Sequence, residues 1–289
     1  MVKMIALDMD GTLLTSEHEI TDRTQKAIKR ALSEGVQVVI ATGRAFYEAH
    51  AAIKQYGLKL PYICLNGAQV RNEQHEVIAT ASLNRSLNNE ISSVFKAEDV
   101  FYQVYTDRAI YTTDLERDME IFLDLAHQNG GHANEALIRQ RMEERVARKS
   151  MIEIEDYREL FNREDELVLK FLGASTSKAK LVRAKNYLYD IGNLAVSASS
   201  PGNIELTHET AQKGIALETM ADVLDIDMKD VMAVGDNLND ISMLKKAGVS
   251  VAMGNGSSET KAIADVVTET NQNEGVARAI ERALDGEFS

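Results

Sequence analysis

The segment Met4-Ile5-Ala6-Leu7-Asp8-Met9-Asp10-Gly11-Thr12 sets two carboxylates two residues apart, directly after a short apolar run. Four apolar residues bounded by a turn predict a buried strand over Met4–Leu7. Alternate residues of an extended chain share a side, so Asp8 and Asp10 are expected to point the same way. Like charges aimed at one point repel unless a cation lies between them or one is protonated. Gly11 lets the backbone turn sharply and come close to a ligand. This arrangement suits a metal-assisted phosphate site; the plain alternative is an acidic surface turn.

Other polar groups follow other apolar runs. Val36–Ala41 ends in Thr42-Gly43-Arg44, a hydroxyl and a flexible backbone amide at a helix start, suited to holding an anion. Tyr62–Leu65 ends in Asn66-Gly67. Val231–Val234 runs into Gly235-Asp236-Asn237-Leu238-Asn239-Asp240, a second acidic cluster opening a helix, and Lys213 begins another helix. Each has an ordinary reading by itself. Thr42 caps a helix, Asn66-Gly67 is a turn, Lys213 is a surface lysine, and Asp236 and Asp240 favour a helix dipole. Their joint placement at strand ends carries the argument, because ligands of doubly wound sheets bind outside the carboxyl ends of the strands.

The elements that must position them follow from periodicity. Thr21 caps a helix with apolar positions Ala27, Ile28, Ala31 and Leu32, and a second helix spans about Ala45 to Tyr56. With the three strands this is βαβαβ, the pattern of a parallel, doubly wound, Rossmann-like α/β sheet. The pattern returns from Lys213 to Leu284, with strands Val231–Val234, Val249–Ala252 and Val266–Val267. Between them lie hairpin-like Val100–Thr106 and Ala109–Thr113, a helix around Asp114–Gln128, and strands near Leu167–Leu172, Leu194–Ser199 and Ile204–Leu206. The expected organisation is a discontinuous core, residues 1–82 and 208–289, carrying an inserted α+β domain over 83–207. Asn134–Lys149 is rich in charge, including Arg139, Arg141, Glu143, Glu144, Arg145 and Arg148. It reads as a solvated helix face, with a basic patch over an anionic substrate as the sharper alternative.

Asp and Glu outnumber Lys and Arg by 45 to 32 over the 289 residues, a net charge of -13. That excess repels nucleic-acid backbones and anionic membranes, so neither is an expected partner. The one cysteine, Cys64, sits in an apolar run and reads as core filling. With no internal disulfide possible, no apolar stretch of bilayer-spanning length and no signal-like N-terminus, the chain reads as cytoplasmic.

Taken together, Asp8-Met9-Asp10-Gly11-Thr12, Thr42-Gly43, Lys213 and Gly235-Asp236-Asn237-Leu238-Asn239-Asp240 resemble the four motifs of the haloacid dehalogenase-like hydrolase superfamily. The large late insert, Asn66-Gly67-Ala68, Lys213-Gly214 and Met243-Leu244 resemble its Cof-type branch, with a type IIB cap. One departure is Gly256 in Met253-Gly254-Asn255-Gly256, where many relatives carry alanine. The resemblance implies a phosphatase acting on small phosphorylated metabolites, chiefly sugar phosphates, with pyridoxal phosphate or flavin mononucleotide further options. It implies that Asp8 is the nucleophile, forming an aspartyl-phosphate, and that Asp10 is the acid and base, a double role that needs a carboxyl pKa raised toward neutrality. Mg²⁺ would sit among the Asp8 carboxylate, the Asp10 backbone carbonyl and Asp236. The Met9 amide, Thr42, Gly43, Lys213 and Asn239 would bind phosphate, with Thr12, Asn66 and Asp240 in support.

Two rival activities remain open on these residues. A phosphomutase would use the same intermediate and return the phosphoryl group to a sugar, and isomerised sugar phosphate beside free phosphate would reveal it. A non-catalytic phospho-acceptor switch also uses strand-end aspartates, a threonine and a lysine, and would give a stable phosphoprotein without turnover. The cap residues that meet the leaving group cannot be picked out from the sequence.

Overall fold

The computed structural model describes residues 1–128, 135–198 and 200–288. Expectations for Asn134, Ser199 and the Arg141 side chain fall outside what is described. The chain divides into two compact units, Met1–Thr80 with Thr210–Ser289, and Ala81–Glu209.

The first unit begins β1 (Met4–Leu7), α1 (Asp22–Ser33), β2 (Gln37–Ala41), α2 (Phe46–Ile53), β3 (Tyr62–Cys64), β4 (Gln69–Arg71) and β5 (Val77–Thr80). The second contains α3 (Arg85–Ala97), β6 (Phe101–Thr106), β7 (Ile110–Thr112), α4 (Leu115–Gln128), α5 (Glu135–Ala147), β8 (Met151–Glu153), α6 (Tyr157–Phe161), β9 (Val168–Ala174), α7 (Lys178–Tyr189), β10 (Leu194–Ser197) and β11 (Asn203–His208). The chain then returns to the first unit with α8 (Lys213–Val223), β12 (Val231–Gly235), α9 (Ile241–Leu244), β13 (Val249–Ala252), α10 (Ser258–Ile263), β14 (Val266–Val267) and α11 (Gly275–Leu284).

In the first unit these strands form an eight-stranded sheet, ordered β14-β13-β12-β1-β2-β3-β4-β5. The six strands from β14 to β3 pair in parallel. β4 and β5 add antiparallel, a pair of strands not expected from the sequence. Leu65, Asn66 and Gly67 all have left-handed φ, which reverses the chain between β3 and β4. Gly67, at φ +104°, also has backbone where a side chain would stand: a Cβ would lie 2.6 Å from the Gln212 carbonyl oxygen.

The central strands β12, β1, β2 and β3 are buried on both faces, and alternate residues of β12, β1 and β2 enter different cores. Ile5 and Leu7 pack with Val38, Ile40, Met232 and Val234 against α1 and α11, through Ile28, Ala31, Val276 and Ile280. Met4 and Ala6 face Val39, Ala233 and the opposite helices α8 and α9, through Leu217, Met220 and Met243. Burial of such side chains contributes about 1.5–3 kcal/mol each, enough to fix the register of β1 and hence the face on which the next residue emerges. Cys64 is fully buried in the first of these cores, and burial pushes its thiol up to about 12.

The second unit is built on a six-stranded sheet, ordered β10-β11-β9-β6-β7-β8 and antiparallel except for β7 with β8. Tyr102 and Val104 of β6 join Phe171, Leu206 and residues of α3, α6 and α7 in an apolar core. Gln103 and Tyr105 alternate with them and carry polar contacts instead. The Tyr105 hydroxyl donates to Gln103 Oε1 at 2.9 Å, and Gln103 Nε2 donates to both oxygens of Asp118 at 2.8 Å. Lys170 and Glu205 form a buried pair at 3.1 Å. Arg139, Glu143, Glu144 and Arg148 are exposed on and just beyond α5, as a solvated helix face requires. Among the described residues no helix is long and apolar enough to cross a membrane.

Asp118 is fully buried, and burial pushes its carboxyl up to about 6 against the opposing bonds from Gln103 and Thr112. Between the unfolded value of 3.8 and about 6 the folded chain holds a proton that the unfolded chain has lost, so stability falls as pH rises through that window. Asp118→Asn is expected to raise stability by about 1–3 kcal/mol at pH 7.5 and to lose that advantage below about pH 4.5. Urea titrations across pH check this, and equal stabilities at pH 7.5 would refute it.

Candidate active site

Strand parity decides where Asp8 goes. It follows Met4 and Ala6 onto the α8 face, while Met9 follows Ile5 and Leu7 into the opposite core. Met9 is fully buried there, so only its backbone can serve a ligand. Asp8 is 5% exposed, and its amide donates to Val234 of β12 at 3.0 Å.

Lys213, the first residue of α8, lies on the same face and is fully buried. Its ammonium donates to Asp8 Oδ1 and to Asp240 Oδ1, both at 2.6 Å. The other oxygen of Asp240 accepts from the Asp236 and Asn237 amides at 2.9 and 3.0 Å. Asn237 and Asp240 cap the short turn Leu238–Asp240 reciprocally, which fixes the loop after β12. Asp236 Oδ1 accepts from the Thr12 hydroxyl at 2.8 Å. Gly11, at φ +84°, allows this approach, because a Cβ there would collide with the Asp236 carboxylate.

The charges in this cluster do not balance. Burial, and then the charge of Asp240, push Asp8 well above the usual carboxylate range despite Lys213. The same two causes carry Asp236 up to about 6, against the Thr12 bond. For Lys213, burial opposes its charge, but Asp240 and Asp8 outweigh it and raise its pKa. One ammonium faces three carboxylates whose oxygens lie within 4.8 Å of one another. A set of hard oxygen donors with excess negative charge fits a hard divalent cation such as Mg²⁺. Both oxygens of Asp240 are already engaged, so Asp8 and Asp236 are the better side-chain ligands.

The remaining expected residues lie at neighbouring strand ends. Thr42 is buried, its carbonyl accepts from the Asn66 amide at 3.0 Å, and its hydroxyl accepts from the Arg44 amide at 3.1 Å. That hydroxyl keeps its own proton to donate. Helix α2 starts only at Phe46, so Thr42 and Gly43 belong to the loop before it. Asn239 Nδ2 donates to Asn66 Oδ1 at 3.1 Å, beside Gly43. Thr42, Gly43, Asn66 and Asn239 therefore form one polar group, and Asp8, Thr12, Lys213 and Asp240, all buried, form a second with the half-buried Asp236.

Asp10 departs from expectation in two respects. Regular strand ends at Leu7, and the chain turns through Met9 and Asp10, so the two-residue spacing does not bring its carboxylate to the Asp8 cluster. It goes to Arg44 instead: Nε donates to Oδ2 at 2.7 Å and Nη2 donates to Oδ1. His18 Nδ1 lies 3.9 Å from Oδ1 and 3.4 Å from Arg44 Nη2. Burial works to raise the Asp10 pKa, but the Arg44 bonds and charge outweigh it and hold the carboxyl below its ordinary value. The elevated pKa expected for a proton donor is absent in this arrangement.

Arg44 and Asn255 were not anticipated as site residues. Asn255 Nδ2 donates to the Gly11 carbonyl at 2.7 Å, and its Oδ1 accepts from the Asn271 amide at 2.9 Å, tying the turn after β1 to a later loop. Arg44 carried a usable signal, since an unmatched carboxylate at one strand end calls for a cation at the next. Asn255 carried none.

Comparison with known proteins gives consistent relatives. A family model described as haloacid dehalogenase-like hydrolase matches residues 5–280. Phosphatase YwpJ of Bacillus subtilis is 33% identical over 98% of this chain and 100% of its own. The 5-amino-6-(5-phospho-D-ribitylamino)uracil phosphatase YwtE of Bacillus subtilis is 30% identical over 100% of both chains. A solved haloacid dehalogenase-like hydrolase from B. subtilis has a TM-score of 0.87 at 33% identity, covering 97% of this chain and 99% of that one.

Mg²⁺ is expected to stabilise the protein by about 2–3 kcal/mol at a hundredfold excess over its Kd, and Asp236→Asn to abolish most of that gain. Thermal melts with and without Mg²⁺ check this; an undiminished shift in the variant would place the cation elsewhere.

Proposed function

Since the chain belongs to the haloacid dehalogenase-like hydrolase family and is a phosphatase, we propose that it hydrolyses small phosphorylated metabolites through a phosphorylated Asp8. The observation that carries the reading is the buried Asp8 carboxylate, held by Lys213 through one oxygen and set beside Asp236. Lys213 fixes Oδ1, leaving Oδ2 to attack phosphorus in line with the leaving oxygen. The reaction splits into two easier halves: phosphoryl transfer to Asp8 with release of the alcohol, then hydrolysis of the aspartyl-phosphate.

Thr42, through its remaining hydroxyl proton, and the Gly43 and Met9 amides hold the phosphate oxygens as charge develops on them. The Asn239 amide adds a further donor, oriented by Asn66. Lys213 supplies fixed positive charge where water is excluded, which makes it worth more than in solvent. Asp10 handles the proton of the leaving alcohol and of the attacking water. The Asp8 and Asp236 carboxylates and the Asp10 carbonyl would hold Mg²⁺, which when bound would offset the negative charge shared by Asp8 and the phosphate. Asp240 and Thr12 hold Lys213 and Asp236 in place.

For substrate we propose sugar and sugar-alcohol monophosphates, in line with the ribityl phosphate in the name of one relative. The inserted domain is the cap that selects the leaving group.

Phosphate release from a panel of sugar, sugar-alcohol, nucleotide and cofactor monophosphates tests the proposal. Asp8→Asn is expected to lower turnover at least a thousandfold while keeping the fold, and retained activity would require another nucleophile. Exhaustive EDTA treatment is expected to abolish turnover and added Mg²⁺ to restore it; full activity in EDTA would sink the metal-assisted mechanism.

A further inference from the structure

We infer that Arg44 is a positioning residue that aims Asp10 for the hydrolytic half of the reaction. The inference rests on the aspartyl-phosphate reading above. Unlike Asp8, Asp10 is not locked by burial: its side chain is 49% exposed, on a turn rather than a strand. An exposed carboxylate rotates freely unless something holds it, and freedom at a proton-transfer group costs rate. The Arg44 fork supplies the hold. It takes both oxygens at once, through Nε and Nη2, and a planar two-point bond fixes orientation as well as distance.

The anchor of that fork matters as much. The Arg44 amide donates to the Thr42 hydroxyl, and the Arg44 carbonyl accepts from the Leu65 amide at 3.0 Å, one residue before Asn66. The guanidinium therefore transmits the placement of the Thr42-Gly43 loop to Asp10. His18, beside both groups, closes the outer flank.

With both oxygens accepting from Arg44, the Asp10 carboxylate is held in one orientation. In the hydrolytic half a water oxygen bonds to phosphorus as the bond from phosphorus to the Asp8 oxygen breaks. The water's proton passes to Asp10, leaving phosphate and a free Asp8 carboxylate.

The test uses the full chain, p-nitrophenyl phosphate and rapid-quench kinetics. Arg44→Gln is expected to lower kcat about tenfold to a hundredfold, as weakened proton transfer would, and to lower KM with it. kcat/KM, which reports transfer to Asp8 with this good leaving group, is expected to change less than about threefold. A burst of p-nitrophenolate approaching one equivalent per site should accompany the loss. Arg44→Lys keeps the charge without the fork and should fall between; it also serves if Arg44→Gln does not fold. Asp10→Asn combined with Arg44→Gln should be no slower than Asp10→Asn alone.

An equal fall in kcat and kcat/KM without a burst, a raised KM at unchanged kcat, additive losses in the double variant, or wild-type kinetics would each overturn the inference. Turnover retained in Asp8→Asn would instead remove the aspartyl-phosphate reading beneath it.

Discussion

A lysine ammonium cut off from water holds the centre of this protein together. Lys213 is fully buried, and a charge in that position is tolerated only when it is paired and its hydrogen bonds are made. Asp8 and Asp240 supply the pairing from two strand ends, and Gln212, just before the lysine, packs against Gly67 from a third. The loop after β12 and the reversal after β3 are thus arranged around one ion. Removing any partner would strand a charge in a low-dielectric interior, a constraint far stricter than the packing of the surrounding aliphatic residues.

Much of this was legible in the residues because strands impose parity. Four apolar residues from Met4 to Leu7 dictate a strand buried on both faces, and such a strand delivers Asp8 to one side and Met9 to the other. The same logic reaches Thr42, Asn66 and Asp236, each just beyond a short buried strand. Parity stops with the strand. Asp10 lies three residues past the end of the strand, and its direction is set by the turn and by Arg44. A periodicity argument has no purchase on a turn.

Other features were hidden for different reasons. β4 is three residues, Gln69 to Arg71, and β5 offers only the short, partly exposed apolar run Val77 to Ala79, so neither shows a clean alternation. Their existence depends on the left-handed backbone at Leu65, Asn66 and Gly67; Asn66-Gly67 signals a turn, but Leu65 does not announce such a conformation. Asp118 lies among Arg117, Glu116 and Glu120, where a helix looks solvated, yet Gln103 of β6 draws it fully inside. Tertiary context, not local propensity, decided that residue.

The sheet order also bears on how the chain is made. β1 is made well before one of its neighbours: β2 follows directly, but β12 pairs Val231 with Met4. At ordinary rates of synthesis that gap amounts to roughly 10–40 s. Throughout it β1 presents an unpaired, apolar edge, the feature most prone to joining the wrong chain. The growing chain is therefore most vulnerable to aggregation before β12 emerges, and a chaperone that shields the edge of β1 until then would help the protein more than one acting after release.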